Sequence, residues 1–205
     1  RWVKDHKDEY NDIELVIGNE MNDNEDVNYW NYNRFKRVIR MKEEGFKLGR
    51  KNWADFILFI DADVVLTNEN TFLYLTNNTN GMVVIAPMLY SLGTYSNFWA
   101  GITKNGYYKR TDDYLPILER QNVGQFQVPM IHSCVFVNLR HKLSNYLTFD
   151  GRQLSDNLPF DDIISFAKSA ELGSIPLYID NREVWGYIPP PIDNNSRLNS
   201  LQQDL

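Results

Sequence analysis

The residues best suited to chemistry are Asp61-Ala62-Asp63, which follow the apolar run Phe56–Ile60. Strand alternation sends residues i and i+2 to the same side, so both carboxylates are expected to face the crevice beyond the carboxyl end of a strand, where open α/β sheets bind ligands. Two carboxylates so placed repel each other unless a positive charge lies between them. A divalent cation with oxygen ligands, Mn²⁺ or Mg²⁺, answers that need and also holds diphosphate; a solvated turn or helix cap is the plainer reading. A second acid pair stands in Phe160-Asp161-Asp162-Ile163-Ile164. Acids in the first turn of a helix are favoured by its dipole, so capping explains them, whereas a base or a ligand for sugar hydroxyls is the reactive alternative.

Three further features bear on a site. His132 lies just before the strand-like run 134–137 and can be a metal ligand, a hydrogen-bond donor or a packed residue. The stretch Tyr95-Ser96-Asn97-Phe98-Trp99-Ala100-Gly101 is too aromatic for a plain loop, so Tyr95, Asn97 and Trp99 either line a pocket or fill a core. Cys134, the single cysteine, reads as a small buried hydrophobe, while His6 and His141 lie in charged surroundings and read as surface residues.

The elements that must position these groups follow from periodicity. Residues 13–17 read as a short buried strand and 29–51 as a long amphipathic helix, with Trp30, Phe35, Val38, Ile39, Met41, Phe46 and Leu48 at helical spacing. The continuous apolar run 56–60 reads as a central strand covered on both faces. Residues 68–75 read as a helix capped by Thr67 or Asn68, and 82–86 as a strand ended by Pro87; strand, helix, strand suggests a crossover unit. Residues 111–120 read as turn and short helix, 159–171 as a helix started by Pro159, 175–179 as a last strand, 187–191 as extended polyproline and 193–205 as a polar tail.

Composition narrows the class. With 43% hydrophobic and 23% charged residues in 205, the chain can bury one sizeable core and is not disordered. A net charge of −6 argues against a nucleic-acid surface, which needs clustered Lys and Arg. No apolar run approaches the ~20 residues of a spanning helix, and one cysteine excludes an internal disulfide framework.

The segment 58–65 resembles the Asp-x-Asp-x-Val strand end of haloacid dehalogenase-type phosphatases, which implies Asp61 as nucleophile and Asp63 as general acid. That family carries a Lys ahead of its second acid pair, and none stands in a strand-end context before Asp161-Asp162. A fuller resemblance, over residues 29–191, is to family 25 glycosyltransferases of the procollagen galactosyltransferase type. It is carried by the blocks at 53–63, 84–89, 95–101, 106–111, 128–133 and 160–164, in one order.

That resemblance implies a GT-A nucleotide-sugar-binding α/β fold over residues 1–192, with a mixed, mostly parallel sheet flanked by helices. Compared with the family the first strand and helix are expected to be missing, so that either the chain is truncated or nucleotide binding is impaired; the non-enzymatic alternative is a degenerate GT-A scaffold module. It also implies Mn²⁺ or Mg²⁺ as cofactor, a UDP-hexose donor and a collagen-like acceptor carrying hydroxylysine or galactosylhydroxylysine. By similarity Asp61 and Asp63 hold metal and donor diphosphate, His132 and Ser133 lie by the donor sugar, and Asp161 and Asp162 contact hydroxyls or act as acid/base. Many GT-A enzymes have a late third metal ligand, for which His132, Asp180 or Glu183 is the candidate here. The family works in the endoplasmic reticulum lumen.

Overall fold

Helix α2 (Tyr32–Lys51) turns its apolar stripe, with Ile39 and Phe46 buried, onto strand β1 (Phe56–Ile60). The approach is close: a Cβ on Gly45 would meet the Phe59 ring at 2.9 Å, so this helix position tolerates no side chain without the ring moving. Phe46 meets Phe59 edge-on at 4.9 Å and stacks on Phe149 at 5.5 Å, which fixes the helix over the strand. The computed structural model describes residues 2–16, 30–79, 81–155 and 157–189.

Five strands make the main sheet, in the order β1, β10 (Cys134–Asn138), β3 (Val84–Pro87), β11 (Leu177–Asp180), β8 (Gln125–Val128). Alternation sorts their side chains. Ile57, Phe59, Val135, Val137, Val84, Ala86, Leu177 and Ile179 join the large core with α2 and helix α5 (Asp162–Leu172), while Phe56, Leu58, Phe136, Ile85 and Tyr178 pack the opposite face with Leu75 of helix α3 (Thr71–Asn77). Helices on both faces of a mixed sheet make a layered α/β architecture.

A small sheet of β2 (Val65–Leu66), β12 (Gly186–Tyr187) and β4 (Leu89–Tyr90) adjoins it. Strand β5 (Phe98–Trp99) pairs with β9 (Met130–Ile131), and β6 (Gly101–Ile102) forms a hairpin with β7 (Tyr108–Lys109). Helix α4 (Tyr114–Leu118) fills the short helical position expected in residues 111–120.

Several expectations need correction. Of the four ladders in the main sheet only β3 with β11 is parallel; β10 runs antiparallel between β1 and β3, so the sheet is mostly antiparallel. An apolar run reports burial on two faces and carries no information about direction. For the same reason β1 is an edge strand among the described residues rather than a central one, with helices over its faces and an exposed end at Ile60. Helix α3 starts at Thr71 with Asn70 as cap residue; Asn68 instead accepts the Asn70 N–H at 3.0 Å in the preceding turn. Strand β3 starts at Val84 rather than at residue 82 and ends with Pro87, and the last strand extends to Asp180 with β12 beyond it. Helix α5 starts at Asp162 rather than Pro159.

Residues 1–31 form a separate unit. It has a helical turn α1 (Trp2–Asp5) and a 3-10 turn, Lys7–Glu9, with His6 Nδ1 2.9 Å from Glu9 Oε1. The strand expected at 13–17 does not form over 13–16: Leu15 and Val16 are 64% and 59% exposed, and no strand pairs with them among the described residues. A five-residue run with four apolar side chains and Glu14 cannot hold strand geometry without a ladder partner. Ile17, Tyr29 and the tail at 193–205 lie outside the described residues.

Candidate active site

Strand β1 delivers Asp61 into a turn in which the Val64 N–H bonds back to the Asp61 carbonyl at 3.0 Å. The Asp-x-Asp pair therefore sits in a turn beyond the strand, and strand alternation does not govern it. Both carboxylates nonetheless act on the Tyr95 hydroxyl, whose pKa is pushed up to about 12, first by burial and then by the charges around it. Across the sheet, β9 and β10 are separated by His132 and Ser133, and Ser133 takes a left-handed φ of 59°. That kink lets the Ser133 carbonyl accept the Asp61 N–H at 2.8 Å and aims the Ser133 hydroxyl at the Asp61 carboxyl.

The second acid pair divides its roles. Asp161 is the N-cap of α5: its Oδ1 accepts the N–H groups of Ile163 at 2.8 Å and Ile164 at 3.0 Å, satisfying two donors that the first turn leaves over. Asp162 turns inward, its side chain 5% exposed, and accepts from Lys42 Nζ at 2.8 Å. The same ammonium lies 3.4 Å from Asp61 Oδ1 and 5.3 Å from the centre of the Phe149 ring. One lysine of α2 thus joins the acid turn after β1 to the start of α5.

Electrostatics follow from this crowding. Burial alone lowers the Lys42 pKa, but Asp162 and then Asp61 overcome it and the net shift is upward, so Lys42 stays charged. Burial raises Asp61 against the pull of Lys42 and Ser133, and burial likewise raises Asp161 against its two backbone hydrogen bonds. His132 is buried with Nδ1 2.9 Å from Ser133 Oγ, and its Nε2 has no hydrogen-bond partner among the described residues. Burial first, then the charge of Lys42, pulls its pKa down to about 3, so the ring is neutral.

An aromatic wall spans the two acid clusters. Tyr95 meets His132 at 5.7 Å and Trp99 at 6.4 Å; Trp99 stacks on Tyr108 at 5.0 Å, and the Tyr108 hydroxyl, raised mainly by burial, also feels Asp161 and Asp162. Asn97 does not line this wall. It is fully buried, its Oδ1 accepting from the Leu89 N–H at 2.8 Å and its Nδ2 donating to the Pro87 carbonyl at 2.9 Å, so it braces the loop from behind.

The sequence model for the N-terminal domain of glycosyltransferase family 25 matches residues 1–205. The chain belongs to glycosyltransferase family 25. A "Glycosyltransferase 25 family member" of Aedes aegypti is 43% identical over the whole chain, which covers 34% of that protein. "Procollagen galactosyltransferase 2" of Homo sapiens is 42% identical over 86% of the chain and 28% of its own length, and its Mus musculus counterpart is 39% identical over 100% and 32%. The chain therefore spans about a third of the length of the curated relatives it matches. A solved structure, "Crystal Structure of A197 from STIV", aligns at TM-score 0.46 with 12% identity over 71% of this chain and 64% of that one, a likeness too loose to bear on the argument.

Membership of family 25 displaces the phosphatase reading of Asp61. Within this family 25 domain the structure gathers Asp61, Ser133, His132, Tyr95, Trp99 and Asp162, and it sets Asp161 to capping. Asp180 is not a spare ligand: it is fully buried and bound by Arg182 at 2.7 Å. Among the described residues no group of three His, Cys, Asp or Glu side chains is gathered for a metal ion. Lys42 escaped the sequence reading although a signal was present. It stands three residues after Ile39 and four before Phe46, a charge on the buried stripe of α2.

Proposed function

We propose that this family 25 domain binds a UDP-hexose and transfers galactose or glucose to hydroxylysine or galactosylhydroxylysine of collagen-like polypeptides. What carries the reading is the convergence of the two acid clusters, Asp61 and Asp162 about one lysine, in a chain matched end to end by the family 25 domain and related to proteins named procollagen galactosyltransferase.

Asp61 and Asp63 are the residues that would hold Mn²⁺ or Mg²⁺. The donor set fits such an ion: two carboxylates in one turn are hard oxygen ligands, and these cations commonly keep water and take phosphate oxygens for the remaining positions. When bound, the metal neutralises charge that develops on the departing diphosphate. The chain's own groups do the rest. The wall of Tyr95, Trp99 and Tyr108 offers flat faces to a hexose ring, and Asp162 offers an ionisable oxygen for a reacting hydroxyl. The endoplasmic reticulum lumen, where collagen chains are modified, is the compartment this reading assigns.

Calorimetric titration of UDP with and without Mn²⁺, together with turnover of UDP-galactose and UDP-glucose on hydroxylysine peptides, tests the reading. Asp61→Ala and Asp63→Ala are each expected to remove Mn²⁺-dependent UDP binding while the fold persists. Unaltered UDP affinity in both variants refutes the metal assignment. No turnover and no metal-dependent UDP binding by the unsubstituted protein favours the scaffold alternative.

A further inference from the structure

We propose that Lys42 is a positioning residue for sugar transfer, acting through Asp162: its ammonium fixes the carboxylate at the start of α5 relative to the acid turn after β1. The inference rests on the glycosyltransferase reading above. Lys42 belongs to the buried stripe of α2, so its side chain enters the protein and is only 14% exposed. Among the described residues its hydrogen bond at 2.8 Å is the one that the Asp162 carboxylate receives, in contrast to Asp161, which is held by two backbone N–H groups. A lysine that merely fastened α2 to α5 would need Asp162 alone. This one also reaches Asp61 at 3.4 Å, with the Phe149 ring 5.3 Å from the ammonium, and so sets the two acid clusters at a fixed separation. Holding a reacting group within a fraction of an ångström is a large part of catalysis, and a displacement of about 1 Å can cost roughly 100-fold in rate.

The test is a double-mutant cycle on the full chain, read as kcat, UDP dissociation constant in Mn²⁺ and melting temperature. Lys42→Met is expected to lower kcat about 100-fold with UDP affinity held within about 3-fold. Asp162→Asn is expected to do the same, and the double variant to lose about 100-fold in all rather than the product of the two losses. Lys42→Arg guards against loss of the fold: it keeps the charge and the melting temperature, yet its planar fork cannot keep the three contacts, and kcat falls about 10-fold. Multiplying losses in the cycle, full kcat in the Arg variant, or UDP affinity falling in step with kcat each overturns the proposal while the glycosyltransferase reading stands. Absence of turnover in the unsubstituted protein removes both.

Discussion

Replacing Asp161 with Ala separates capping from chemistry at the start of α5. Asp161 has extended backbone angles, φ −147° and ψ 127°, and its Oδ1 receives two N–H groups at 2.8 and 3.0 Å. Loss of such a cap costs about 1–2 kcal/mol, and the upper end applies because the site is buried and water cannot take over both donors. For a domain of this size about 1 kcal/mol corresponds to 2–4 °C, so Asp161→Ala is expected to melt about 4–8 °C lower. Asparagine caps as well as aspartate, and it has no charge to desolvate, so Asp161→Asn should melt within about 2 °C of the unsubstituted protein. Scanning calorimetry at neutral pH reads both. An Ala variant as stable as the parent, or an Asn variant as unstable as Ala, refutes the assignment of Asp161 to capping.

Two further outcomes are expected. His132, with its folded pKa pulled to about 3 from 6.5, binds fewer protons in the native than in the unfolded chain, so its contribution is present above 6.5 and is lost as pH falls from there toward 3. Between pH 7 and pH 5 this amounts to about 2 kcal/mol, which denaturant titrations should find in the parent and not in His132→Gln; equal slopes in the two proteins contradict a neutral buried imidazole. At Gly186 of β12 an added Cβ would lie 2.1 Å from the Val65 carbonyl oxygen, a backbone atom that cannot swing aside. Gly186→Ala should therefore cost about 3 kcal/mol or more, and a melting temperature within about 2 °C of the parent would show that the small sheet yields.

The parts of the site legible in the sequence were those with a local signature. An acid pair after an apolar run marks a strand end, and Asp161 before Ile163-Ile164 marks a helix start, so those positions could be found while their division of labour could not: which carboxylate faces inward depends on the rotation of α5 against α2. Lys42 and Glu43 were legible in principle as charges on an apolar stripe, and each has a buried task, Glu43 accepting from the Phe149 N–H at 2.6 Å. Strand direction and lateral order were not legible, because two-faced burial gives the run 56–60 the same apolar pattern at an edge as in the centre. Residues 13–16 show the converse, a strand-like run whose pattern has no partner to act on among the described residues.

Lys42 and Asp162 lie 120 positions apart, and the bond between them closes that span. A chain made from its N-terminus presents Lys42 and the Asp61 turn long before α5 has left the ribosome, and through that interval the ammonium lacks its closest counter-charge. Contacts of such long range form late, because the entropy of closing the loop must be met before they contribute. The centre therefore comes into being only when α5 forms. A chain synthesised or folded only short of α5 has the acid turn but not the assembled group, so occupancy of the site would report that α5 has docked.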